Sequence, residues 1–187
     1  IKNQSAVNDP IVLKTTPQDF IVKALNSNGI QVSAGGITLN GAFQSGPANW
    51  HHVSITYSGG QYRLYLDGQL KDLQTGTAIL QSEQLLIGSR AGNGNWEGRL
   101  DELRIYHSRL DELDIPEVME GTASSLTPGL KYYWKMDEEQ GTKSFDILQR
   151  TKLYFCGAIF DASRPPVRTA GRTNQDGYYR IESANYG

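Results

Sequence analysis

Glu112, Asp114 and Glu117 stand close together in the run E-L-D-I-P-E. Two such carboxyls held about 5–5.5 Å apart on one strand face could hydrolyse a glycosidic bond with retention. Pro116 opposes that arrangement, because proline removes a ladder donor and suits a strand edge or a helix end. Catalysis is therefore not expected here. A second group is Trp96 with Asn93, Asn95 and Arg90. An exposed indole could stack on a sugar ring while amides and a guanidinium hold its hydroxyls. A tryptophan plugging the rim of the core is the more ordinary reading of the same residue. His51 and His52 are neighbours in sequence, so on a strand they point to opposite faces and cannot chelate one ion together. His107 stands alone, with no His/Cys cluster to suggest zinc. Cys156 has no basic neighbour in sequence to activate it, which favours a buried inert thiol. No glycine-rich loop follows a strand and opens a helix, so nucleotide binding finds no support.

The elements that must carry these residues are almost all strands. Residues 50–57 (WHHVSITY) alternate, Ser58-Gly59-Gly60 follows as a turn, and residues 62–66 alternate again. That order predicts a hairpin. Tyr62, Leu64 and Leu66 share one face and Arg63 and Tyr65 the other, which predicts burial on one side. Asp67-Gly68 supplies the next tight turn. Further strands are expected at 10–14, 19–25, 30–33, 36–43, 84–88 and 99–106. Trp50 and Trp134 fall inside strand patterns and are expected in the core. Residues 107–120 are the one helix candidate, with Ser108 as N-cap and Pro116 as its limit. Turn signals recur about every ten residues, as in an antiparallel sandwich or barrel.

The 187 residues carry 18 Lys+Arg against 20 Asp+Glu, a net charge of −2. Nothing in that balance draws the chain to nucleic acid or anionic lipid. No apolar stretch reaches the ~20 residues of a spanning helix, so membrane insertion is not expected. The single cysteine excludes an internal disulfide and fits a bacterial surface protein. The chain opens on Ile1 without a leader-like segment, so any secretion signal is expected to be absent or already removed.

Four blocks together, W-H-H-V-S-I-T-Y (50–57), Y-R-L-Y-L-D-G (62–68), L-L-I-G (85–88) and G-R-L-D-E-L-R-I-Y-H-S-R-L (98–110), resemble the laminin-G-like, concanavalin A-like jelly-roll family. The stretch from Tyr133-Trp134 through Asp137 and Gly141 to Asp146 is similar to the family's opening block, although it follows the others here. The resemblance spans residues ~10–146. It implies an all-β, antiparallel two-sheet sandwich with a short helical turn after the 99–106 strand. The division it suggests is a jelly roll over 1–120, a linker at 121–130, an opening-type strand and loop at 131–150, and a partial second β unit at 151–187. The 131–146 segment either begins a second jelly roll or folds back on the 99–106 strand to complete the first.

The resemblance also implies calcium as a structural ion, with Asp101, Asp137 and Asp146 as its first candidates and Asn93 and Asn95 as further oxygen donors. The family's Ser-Gly-Asn-Gly-Asn run is replaced by Ile147-Leu148-Gln149-Arg150. Thr173 to Glu182 is similar to the hairpin of carboxypeptidase-regulatory-like β-sandwiches, and it ends abruptly, as if its remainder lay elsewhere. By analogy the chain is expected to be a non-catalytic binding or adhesion module of a larger secreted or cell-surface protein. It would recognise glycan or protein through Trp96, Asn93, Asn95 and Arg90, beside other domains of the same polypeptide or a surface complex. A passive spacer is the rival reading. A jelly-roll glycan hydrolase, suggested by a superficial match of residues 112–117 to the acidic strand of glucanases, is the third.

Overall fold

The computed structural model describes residues 1–3, 10–16, 20–25, 28–46, 49–79, 84–88, 96–119, 128–138 and 140–154. In chain order the elements are β1 (Lys2–Asn3), β2 (Ile11–Thr16), β3 (Phe20–Leu25), β4 (Gly29–Ala34), β5 (Ile37–Ala42), β6 (Val53–Ser58), β7 (Gln61–Leu66) and β8 (Gln69–Thr75). They continue as β9 (Gln84–Ile87), β10 (Gly98–Arg99), β11 (Leu103–Tyr106), α1 (Asp114–Met119), β12 (Leu130–Trp134), β13 (Lys143–Phe145) and β14 (Lys152–Tyr154). All pairings among these strands are antiparallel.

Alternation decides which face each strand buries. One sheet runs β5-β4-β3-β2-β9 and a second runs β6-β7-β8. Val22, Ala24, Ile30, Val32, Ala34 and Leu39 from the first sheet share one core with Tyr62, Leu64 and Leu66 from the second. The β11-β12 pair adds Leu103 and Trp134 to that core. The chain is thus an all-β antiparallel sandwich with a single short helix among the described residues. The expected hairpin is β6-β7, turned by Gly59 and Gly60 at φ 59° and 77°. Left-handed φ at both central positions matches the right-handed twist of the flanking strands.

Five details depart from the sequence reading. Residues 69–75, which the sequence left unassigned after the Asp67-Gly68 turn, form the edge strand β8, with Leu70 and Leu73 exposed. Its polar-rich composition hides the strand pattern. The expected strand 99–106 breaks between β10 and β11, where Glu102 takes φ 56°. Helix α1 begins at Asp114 rather than near Ser108, and the Asp114 carboxylate accepts the Asp111 N–H at 2.6 Å. Pro116 then lies in the first turn, where its missing N–H costs nothing. Trp50 precedes β6 and is partly exposed instead of lying in the core. Tyr65 is buried, so β7 is covered on both sides at that end. Ile115 and Val118 of α1 are buried and Met119 lies against the Gly68 turn, which accounts for a cover on that side.

β12 pairs with β11 through Leu103↔Trp134, Arg104↔Tyr133 and Ile105↔Tyr132. β12 is joined in turn to the following turn by the Trp134↔Asp146 bridge. No helix among the described residues is long and apolar enough to cross a membrane. Residues 121–127 and 155–187, Cys156 among them, lie outside the described residues, and with them most of the expected linker and the whole carboxypeptidase-like hairpin.

Candidate ligand-binding site

Trp96 does not form a sugar platform. Its side chain is 0 % exposed within the main core, and a Cβ placed on Gly98 would overlap its ring. The indole is a wedge under the β10 backbone, and close backbone approach is what Gly98 permits. Arg90, Asn93 and Asn95 lie outside the described residues.

The two histidines serve the hairpin corner rather than a ligand. Asp67, at φ 51°, accepts the His52 N–H at 2.9 Å through one carboxylate oxygen, while its other oxygen lies 2.8 Å from His51 Nδ1. His51 Nε2 reaches the Gly46 carbonyl at 3.1 Å, and its ring stacks on Phe43 at 3.8 Å between centroids. The Leu-Asp-Gly corner therefore clasps the Trp-His-His entry to β6, which explains why both blocks occur together. His52 is buried with Nε2 near Ser54 Oγ at 3.3 Å. Burial, with the N-terminal amine and Arg104 adding to it and Asp67 opposing, pulls its pKa down to about 3.

A charged network sits between β11, β12 and α1. Arg104 pairs with Glu102, the Tyr133 hydroxyl donates to the same Glu102 carboxylate, and the guanidinium lies 4.4 Å above the Tyr133 ring. Arg104 also donates to the Val118 carbonyl at 2.8 Å. Burial opposes the charge on Arg104, but Glu102 and Tyr133 outweigh it and raise the pKa. Burial first, and then the Glu102 charge, push the Tyr133 phenol far above its ordinary value against the pull of Arg104. Each charged member has a partner, as buried charges require, so the network ties the helix to the sheet.

Asp101, Asp137 and Asp146 are not gathered into one metal-holding group; no group of three or more His, Cys, Asp or Glu among the described residues could hold a metal. Asp101 is buried and accepts the Glu102 N–H at 3.0 Å, and Asp137 is exposed. Asp146 is 1 % exposed and its carboxylate is taken by main chain. Oδ1 accepts from Tyr133 N at 2.9 Å and Leu148 N at 3.2 Å, and Oδ2 from Arg150 N at 3.2 Å. Those oxygens are engaged by main-chain donors. The carboxylates at 112, 114 and 117 fall on a turn and on α1, so they do not alternate along a strand.

What Asp146 builds is a turn, and beside that turn lies a recess of about 730 Å³ whose lining includes Asp146 with Phe145, Gln149, Arg150, Lys152 and Tyr154. Glu138 supports the same hairpin by accepting the Ser144 hydroxyl at 2.8 Å and the Phe145 N–H at 2.6 Å. Phe145 and Tyr154 are 53 % and 61 % exposed, two large apolar side chains turned to solvent beside polar groups. Sequence reading missed them; the signal was the aromatic at alternate positions of the short runs K-S-F and K-L-Y.

The profile of the Concanavalin A-like lectin/glucanases superfamily, in its laminin-G-type branch, matches residues 3–116. The chain belongs to this family. Among curated proteins it is similar to the rat (Rattus norvegicus) Sushi, von Willebrand factor type A, EGF and pentraxin domain-containing protein 1, with 27 % identity over 99 residues. That match covers 46 % of this chain and 3 % of the rat protein. Among solved structures it is similar to a protein from Bacteroides ovatus described as a proposed carbohydrate binding protein, with a TM-score of 0.64 and 16 % identity. The match covers 85 % of this laminin-G-like chain and 53 % of the other, a likeness of fold.

Proposed function

We propose that this laminin-G-like chain is a non-catalytic glycan-recognition module of a larger secreted or cell-surface protein. The observation that carries the reading is the recess at the turn joining β13 to β14, where Phe145 and Tyr154 stand exposed beside Gln149, Arg150 and Thr151. Flat carbohydrate sites are commonly built from exposed aromatic faces with a few polar groups that fix orientation. Membership of a lectin-type superfamily supports that use, as does the description of the Bacteroides neighbour. The extracellular setting is supported by the family and by the multidomain rat relative. Catalysis finds no support in residues 112–117, because the turn and helix there do not alternate side chains on one strand face.

The test is a glycan array probed with the 187-residue chain and with Tyr154→Ala. The reading expects binding to at least one glycan class and its loss in the variant, with an unchanged melting temperature. A featureless array for the wild-type chain would instead favour a passive spacer.

A further inference from the structure

We infer that the exposed face of the β13-β14 hairpin selects anionic glycans, sugars carrying carboxylate or sulfate. The inference rests on the glycan-recognition reading above and adds a charge requirement to it.

Register places the relevant groups on one face. Lys143 pairs with Tyr154, Ser144 with Leu153, and Phe145 with Lys152. Cross-strand partners share a face, and alternate residues of one strand do too. Ser144 is fully buried and Leu153 packs against the core, so that pair points inward. Lys143, Phe145, Lys152 and Tyr154 therefore all point outward, and all four are exposed. The outcome is a checkerboard, with the two rings on one diagonal and the two ammonium groups on the other. Diagonal neighbours on such a ladder are about 7–8 Å apart.

The cations lie against the rings rather than away from them. Lys143 Nζ is 5.4 Å from the Tyr154 ring and Lys152 Nζ is 5.5 Å from the Phe145 ring. Each stem lies along its cross-strand aromatic while the ammonium stays at the surface. Arg150, anchored to the Lys131 carbonyl at 3.0 Å, adds a third positive group at the rim of the recess.

Among the described residues, counter-charge is scarce on this face. Asp146 is buried with both oxygens committed to main-chain N–H groups. Glu138 spends one oxygen on Ser144 and Phe145 beneath the hairpin. Two ring faces for the apolar side of a sugar, with three cations around them, complement a ring that carries negative charge. The chain as a whole is slightly acidic, at −2, so the attraction is local to this hairpin.

The experiment uses two matched pairs with the full 187-residue chain: polygalacturonate against its carboxyl-reduced form, and dextran sulfate against dextran, with polyglutamate as a non-sugar polyanion. The anionic member of at least one pair is expected to bind about tenfold tighter at 50 mM NaCl, the gap shrinking at 0.5 M. Whichever pair responds tells carboxylate from sulfate. Lys143→Gln combined with Lys152→Gln should close the gap, and Tyr154→Ala should weaken binding of the anionic glycan. Charged and neutral members binding equally would overturn the charge requirement and leave glycan recognition standing. A preference that survives the double lysine variant would overturn the location. Polyglutamate binding as tightly as the glycans would overturn sugar selection at this face. Absence of binding to every sugar, these and those of the array, would overturn this inference together with the reading it rests on.

Discussion

Replacing Asp146 with alanine tests whether this buried carboxylate is a main-chain cap or a metal ligand. The change removes the acceptor for the buried Tyr133 N–H and for the N–H groups of Leu148 and Arg150. A hydrogen bond to a charged group is worth about 1.5–3 kcal/mol, and a buried donor left unpaired costs about 1–3 kcal/mol. Tyr133 N has no route to water, whereas the other two sit in a part-buried turn and rehydrate in part. The expected loss is about 3–5 kcal/mol, a large share of a domain's total stability. In melting temperature that is a fall on the order of 10 °C for a domain of this size. Asp146→Asn keeps one acceptor oxygen but turns an amide donor toward Arg150 N, so it should fall between wild type and alanine. Urea unfolding and calorimetry, each run with calcium and with a chelator, read both variants. A wild-type chain that loses its stability on chelation, with an Asp146→Ala variant indifferent to calcium, would refute the main-chain role. So would an alanine variant within about 1 kcal/mol of wild type.

Other outcomes follow from burial. Trp96→Ala should cost about 3–5 kcal/mol by leaving a core cavity, whereas Trp96→Phe should keep glycan affinity within about twofold; a phenylalanine variant that melts normally but loses binding would restore a surface role to this residue. The folded state resists protonating His52, whose pKa lies at about 3, while the unfolded chain takes up that proton near pH 6.5. The sign is that stability is full above about pH 6.5 and falls as pH drops below it, at up to about 1.4 kcal/mol per unit. Unfolding measured from pH 7.5 to 4.5, above most carboxylate titration, should show this slope in wild type and its loss in His52→Gln. A wild-type stability that stays flat across that range defeats the assignment.

Period-two alternation was readable without coordinates because it depends on the order of residues alone. Tyr62, Leu64 and Leu66 had to share a face, and glycine pairs had to turn the chain, wherever the strands ended up. Pro116 likewise argues against an acidic strand from residue type alone. β8 was missed because an edge strand exposes much of its surface and carries a polar-rich sequence with little pattern.

The candidate site residues were harder to read, since exposure is decided by what packs against a side chain. Trp96 among asparagines suits a sugar platform or, more ordinarily, a plug at the end of the core, and the close approach of Gly98 decides for the core. Phe145 and Tyr154 carry no motif that singles them out, and their hairpin turns them to solvent because Ser144 and Leu153 take the inner face. Asp146 looked like a metal ligand, and three main-chain N–H groups from β12 and its own turn claim its oxygens. Sequence alone determined that the chain makes antiparallel sheets around an apolar interior, because local alternation is enough for that. Which aromatics and carboxylates face water was left to the tertiary structure, because the strands and turns that cover them, such as β12 over the 146–150 turn, meet only once the sheets have paired.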